Sequence, residues 1–261
     1  MSFDPEPTSL PLLPRAVLPA LTYFSFKGDT GYSEDLVSRI DAPILRTFLI
    51  TPQVSTLLHI PQLLQFVNRV EELKSPTRAV LEFNDLGVEF KLKTLDSFEL
   101  GIRFDYLREG AGPMKFVCHE LSPLFSCVDS LDLCGETPSC DLEEPVWWCR
   151  ILPTQWLDFF HPFIPTQTLR VSCELFLCVV YALRDLTDEE ATEMLPELRS
   201  LFLEGFARSK PVPPVLDQFV AVRQRSGRPS LDCQSWEIPG CQDGIVTLPS
   251  CAPYTYSYFL G

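Results

Sequence analysis

Hydrophobic positions along the chain recur in a fixed cadence. LPALTYFSFKG at 18–28 and LPELRSLFLEG at 195–205 share one template: apolar, two spacers, apolar, two spacers, apolar, one spacer, apolar. Leu18, Leu21, Phe24 and Phe26 fill it in the first stretch, and Leu195, Leu198, Leu201 and Leu203 in the second. Phe125, Val128, Leu131 and Leu133 form a third copy. Leu45, Phe48 and Ile50 form another with small Ala42 in first place, and Phe163, Leu169 and Val171 another with Thr166 in the second place. A stretched copy runs through Val70 and Leu73 to Leu81 and Phe83. The closing apolar–x–apolar pair has period two, which predicts a short strand with one buried face. Between copies the spacing turns helical, in DLVSRI (35–40), in PQLLQFVNRV (61–70), and through Leu175, Cys178, Val179 and Leu183.

A strand followed by a helix, repeated every few tens of residues, is the signature of leucine-rich repeats. The fold class expected is therefore α/β: an irregular leucine-rich-repeat solenoid, with parallel strands alternating with helices. One unit buries about four apolar side chains, worth roughly 1.5–3 kcal/mol each. Ordering its backbone costs roughly 1–2 kcal/mol per residue, so units must stack to stay folded. The strand endings, near 26, 50, 83, 133, 171 and 203, are irregularly spaced, which implies insertions. AVLEFNDLGVEFKL (79–92) reads as a β-hairpin around NDLG, and FELGIRFDYL (98–107) as a third strand. This hairpin insertion, about 79–107, is expected to project from the edge of the solenoid. No asparagine ladder follows the strands; Asp29, Gln53, Glu136, Glu174 and Phe206 occupy the equivalent places.

The alternation also marks positions for a concave binding face. Tyr23, Ser25, Lys27, Thr47, Leu49, Thr51, Ser130, Asp132, Thr168, Arg170, Ser200, Phe202 and Glu204 fall between the buried strand positions and are the expected partner-binding residues. Leu49 and Phe202 stand out as apolar side chains on an otherwise polar face.

Composition narrows the function classes. The chain has 261 residues with 46% hydrophobic, enough for a sizeable core. Its net charge is −14, from 35 acidic against 21 basic residues, which disfavours nucleic acid and anionic membrane surfaces as partners. Arg223, Arg225 and Arg228 form a basic cluster that reads as a solvated helix end. The longest apolar run, LFLCVVYAL (175–183), is about half a bilayer span, and no secretory leader is visible. An intracellular chain, cytoplasmic or nuclear, with ten free and mostly buried cysteines is expected.

Five blocks in order, FSFKGDTGYSEDLVSRIDAPIL (24–45), PQLLQFVNR (61–69), TQWLDFFHPF (154–163), LPELRSLFLEG and QFVAVRQRSGRP (218–229), resemble the leucine-rich-repeat region of the expanded F-box protein family of mushroom-forming fungi. The resemblance covers roughly 18–229, is poor over 115–150, and does not extend into 230–261. It implies substrate or partner recognition in a cullin-type ubiquitin ligase. The family's F-box, a short N-terminal helical module, docks a Skp-type adaptor. Only 17 residues with four prolines precede the first unit here, and no F-box helix fits in them. The adaptor is thus expected as a partner only of a longer form. The domain plan is a flexible proline-rich segment at 1–17, a repeat domain at 18–229 and an unassigned tail at 230–261. Leu10, Leu12, Leu13 and Val17 are candidates to drape over the open first unit, and a missing upstream portion is the alternative cover.

Catalytic signals are absent from the sequence. His59, His119 and His161 have no partner at metal-ligand spacing, and no Cys-x-x-Cys, G-x-S-x-G or H-E-x-x-H occurs. GAGP (110–113) reads as a turn. TDEEATEMLPEL (187–198) reads as a helix start, with Thr187 as N-cap and Glu190 closing a capping box. Trp147, Trp148 and Trp156 read as core packing, with a partner anchor as the alternative. Tyr254, Tyr256, Tyr258 and Phe259 read as a disordered end, with a docking segment as the alternative. The reading is a non-catalytic protein-interaction module with no cofactor or metal. An enzyme with an unrecognised site, and a degenerate or truncated product, stay open beside it.

Overall fold

The computed structural model describes residues 15–53, 60–70, 75–85, 87–94, 99–105, 112–136, 148, 151–184, 186–204 and 214–236. The closing pair of each template does form strand, and the strands join one open nine-stranded sheet. They are β2 (Tyr23–Asp29), β4 (Thr47–Gln53), β5 (Arg78–Asn84), β6 (Gly87–Lys93), β7 (Glu99–Asp105), β8 (Ser130–Gly135), β9 (Thr168–Val171), β10 (Ser200–Glu204) and β11 (Asp232–Trp236). Two-residue strands β1 (Ala16–Val17) and β3 (Ile40–Asp41) pair beside it. Helices α1 (Thr30–Arg39), α2 (Pro61–Arg69), α3 (Gly112–Phe125), α4 (Pro153–Phe160), α5 (Cys173–Arg184), α6 (Asp188–Glu193) and α7 (Pro214–Arg225) complete a mixed α/β architecture.

The sheet runs β11-β10-β9-β8-β5-β6-β7-β4-β2, and every neighbouring pair is parallel except the two that involve β6. The hairpin insertion therefore does not project from an edge. From β4 the chain passes α2 and skips two strand places. The meander β5-β6-β7 then fills them, ending beside β4, and α3 carries the chain across to β8. The physical reason lies in its sequence. Val80, Leu81 and Phe83, and Val88, Phe90 and Leu92, are too apolar for a projecting hairpin, and all six are buried.

Register turns the template into continuous apolar rows. Phe24, Phe48, Leu100, Leu92, Ala79, Leu131, Leu169 and Leu201 lie side by side across eight strands. Phe26, Ile50, Ile102, Phe90, Leu81, Leu133, Val171 and Leu203 make the next row. These rows meet the apolar helix positions Val37, Leu63, Phe66, Leu121, Phe159, Leu175, Val179 and Phe219 in one core.

The first two template positions make a tight turn before each strand. The amides of Leu21, Leu45, Val128, Thr166 and Leu198 donate to the carbonyls of Leu18, Ala42, Phe125, Phe163 and Leu195, at 3.0–3.2 Å. Thr166, polar where the template is apolar, is fully buried, and its hydroxyl donates to the Val128 carbonyl of the preceding unit. All but the first of these turns then deliver two successive amides to one carbonyl of the neighbouring strand segment. Arg46 and Thr47 donate to Thr22, Gln167 and Thr168 to Asp129, and Arg199 and Ser200 to Gln167. The cadence in the sequence thus corresponds to one backbone device repeated down the chain.

Two expectations about the ends change. β11 pairs in register with β10, so the ladder continues past residue 229 into the segment left unassigned. Arg223 is fully buried rather than solvated: its guanidinium donates to the carbonyls of Met194, Pro196 and Leu198. That turn begins at Leu195, the one described non-glycine residue with positive φ (43°), and its carbonyls need donors. Leu10, Leu12, Leu13, Trp147 and the aromatics from Tyr254 onward lie outside the described residues. Among the described residues, no helix is long and apolar enough to cross a membrane.

Candidate functional site

The helices pack on the Phe48 side of the sheet. The alternate strand positions, which carry the thirteen expected binding residues, form its open face. Tyr23, Ser25 and Lys27 are exposed; Thr47, Leu49, Thr51, Ser130, Thr168, Arg170, Ser200, Phe202 and Glu204 are half-buried. Asp132 is the exception, only 1% exposed, which corrects its placement among solvent-facing residues. The register joins these strands into one surface: Tyr23 beside Thr47, Thr168 between Ser130 and Ser200, and Arg170 between Asp132 and Phe202. The meander separates the β2–β4 part from the β8–β10 part and contributes face residues of its own, Arg78, Val80, Glu82, Glu89, Lys91, Lys93 and Glu99.

Asp132 is buried because two arginines fold over it. Arg78 donates Nε to Oδ2 at 2.8 Å and bonds the same oxygen through Nη2. Arg170 donates Nη1 to Oδ1 at 3.1 Å and to Ser130 Oγ at 2.9 Å. The Arg170 guanidinium also lies over the Phe202 ring, 5.3 Å from its centroid. A cation over an aromatic face is attracted by the ring quadrupole, so Phe202 acts here as a shelf for Arg170. Leu49 is likewise less free than its sequence position suggests. It lies across Gly101, where an added Cβ would come within 2.4 Å of Leu49 Cδ2.

Other polar side chains pair around this centre and at the rim of the sheet. Lys91 bridges Glu82 and Glu89, and Lys93 lies 3.7 Å from Glu99. Ligand atoms of Cys173, Glu174 and Glu204 lie within 4.8 Å of one another. Glu204 accepts the Cys173 backbone N–H at the start of α5, and the Cys173 thiol donates to Glu174 Oε1 at 3.1 Å. Gly135 permits this approach, since a side chain there would strike Glu174 Cβ at 2.8 Å. Desolvation, reinforced by neighbouring Glu174, raises the Glu204 pKa above the usual carboxylate range. Burial, helped by Glu174, pushes the Cys173 thiol up to about 12, and burial with Asp132 pushes Cys134 up to about 11.

Buried Cys118 is pushed up further in the same direction. Cys118, Cys127, Cys134, Cys173, Cys178 and Cys233 take part in no disulfide among the described residues. These shifts give a sign. A thiol whose folded pKa lies above its unfolded value of 9.0 stabilises the fold fully below pH 9 and ceases to do so as pH rises through the folded value. Thermal midpoints are therefore expected to fall between pH 9 and 12, and Cys173→Ser is expected to fall less over that window. Parallel profiles for the two proteins would refute the assignment.

Sequence reading found the face but missed Arg78, which sits at the start of the meander outside the template. Its signal was a basic residue on an alternating strand. The comparisons are silent: no protein-family model, curated protein or solved structure matches this chain.

Proposed function

We propose that this chain is a non-catalytic protein-interaction module, built as an irregular leucine-rich-repeat solenoid, that receives its partner on the open sheet face. The observation that carries this reading is the combination of a repeated turn-and-strand device with a sheet face on which none of the described helices packs. The units that end on β4, β8, β9 and β10 repeat the same turn, the same two-amide contact and the same apolar rows, as stacked repeats require. The opposite face carries polar and aromatic side chains held by one another instead of by the core, which is what a binding surface needs to be pre-organised. In the F-box-like reading this face would select a target protein for a ubiquitin ligase, and a Skp-type adaptor would engage only a form carrying an F-box module. Site-specific photo-crosslinking tests the reading. A photoreactive residue at Phe202 should capture partner, and one at Gln218 on the exposed side of α7 should not.

A further inference from the structure

The Arg78–Asp132–Arg170 group carries more charge than its own packing uses. Two guanidinium groups share one carboxylate, which leaves one positive charge in excess at the centre of the open face. The nearest carboxylates other than Asp132 have cations of their own, since Lys91 bridges Glu82 and Glu89, and Lys93 lies 3.7 Å from Glu99. A single arginine would have satisfied Asp132, and Val80, paired with Asp132 on β5, shows that this row also accepts an apolar residue. A buried ion pair is a weak source of stability compared with apolar packing, so two arginines around one aspartate are not explained by folding alone.

Geometry gives the excess charge a direction. Arg78 and Arg170 have side chains 47% and 28% exposed, while the Asp132 side chain is 2% exposed. The carboxylate therefore lies beneath and the guanidinium edges above. Arg170 is fixed by Ser130, Asp132 and the Phe202 ring, so its planar fork is ordered before any ligand arrives. Pre-organised guanidinium edges on an open face match a carboxylate, which accepts paired N–H donors.

We propose that Arg78 and Arg170 form the anchor for an Asp or Glu side chain in an acidic peptide segment of the partner. This inference rests on the open-face reading and deepens it by naming the partner's chemistry. It fits a chain of net charge −14, because screening limits surface fields to about 8 Å at physiological ionic strength and a local cationic anchor still acts at contact.

The test is selection of random twelve-residue peptides displayed on phage against the full chain, followed by binding of the selected peptides to variants. Asp or Glu should be enriched at one position, and changing it to Asn or Gln should weaken binding about tenfold or more. Arg170→Gln should cost a similar factor, with binding of the wild type falling as salt rises. Arg78→Gln provides a second variant at a more exposed site, and Arg78→Lys should recover only part of its loss. Peptides that bind with no acidic preference, or bind Arg170→Gln and Arg78→Gln as well as the wild type, would overturn the anchor while leaving open-face binding intact. Peptides whose crosslinks map to the helical side, or the absence of any selected peptide, would count against both.

Discussion

Replacing Arg223 with alanine is expected to destabilise the protein by about 3–5 kcal/mol, although a surface arginine at a helix end would cost almost nothing. Arg223 sits on α7 with no solvent exposure and donates to three carbonyls of the Met194–Leu198 turn. Its guanidinium also lies over Phe219, 5.5 Å from the ring centroid. Alanine would leave those carbonyls without the donors they use at the point where the backbone takes a positive φ at Leu195. Burial of the cation depresses its pKa to about 10, so the side chain stays charged at neutral pH. Arg223→Lys should recover less than half of the loss, because an ammonium cannot present the planar fork that reaches several carbonyls. Urea unfolding at pH 7 checks this, and a loss under 1 kcal/mol for the alanine variant would mean that the turn holds without it.

The second large effect is expected at Trp156. Trp156→Ala should cost about 3–5 kcal/mol. Its indole is completely buried between α4 and the sheet, 5.9 Å from the Phe83 ring and 5.5 Å from Phe159, with Phe160 stacked at 5.9 Å. Trp148 meets Phe83 from another side at 6.4 Å. Phe83 lies on β5 at the junction between meander and parallel strands, so the aromatic cluster pins the part of the sheet whose order departs from simple succession. Trp156 Nε1 has no hydrogen-bond partner, so Trp156→Phe loses packing alone and should cost clearly less than alanine. Equal losses from the two substitutions would show that a feature specific to the indole, and not the filling of this cavity, controls stability there.

Much of this architecture was legible in the sequence, for identifiable reasons. The strands at Phe24–Phe26, Phe48–Ile50, Leu131–Leu133, Leu169–Val171 and Leu201–Leu203 follow from a period-two pair that must bury one face. The Thr187 capping box was legible because it is local: Glu190 N–H donates to Thr187 Oγ1 at 3.3 Å and Thr187 N–H to Glu190 Oε2 at 2.8 Å. What was not legible is long-range. Nothing local says that β7 ends beside β4 instead of β8, because both neighbours offer the same apolar rows. The template missed β11 because Cys233 and Ser235 replace the usual large apolar pair, and a terminal strand has less to bury. Missing asparagines also misled less than expected. Asp29 caps α1 by accepting the Tyr32 amide at 3.2 Å, and Ser172 accepts the Gly135 amide at 2.8 Å, so other polar residues hold the turns.

The open face was legible only as an alternation. The sequence places Asp132 on it, but the two arginines that cover Asp132 come from β5 and β9, 54 and 38 residues away in the chain. A carboxylate that reads as exposed by position becomes buried by its partners, and that conversion leaves two guanidinium edges on the open face.

The most direct measurement is photo-crosslinking from chosen positions of the full chain in cells, with adducts identified by mass spectrometry. A photoreactive residue at Phe202, and a second at Thr168 on the same face, should yield a shared set of partner adducts, while one at Gln218 on α7 should yield none of that set. Adducts that arise equally from Gln218, or only from it, would place the partner on the helical side and contradict the account.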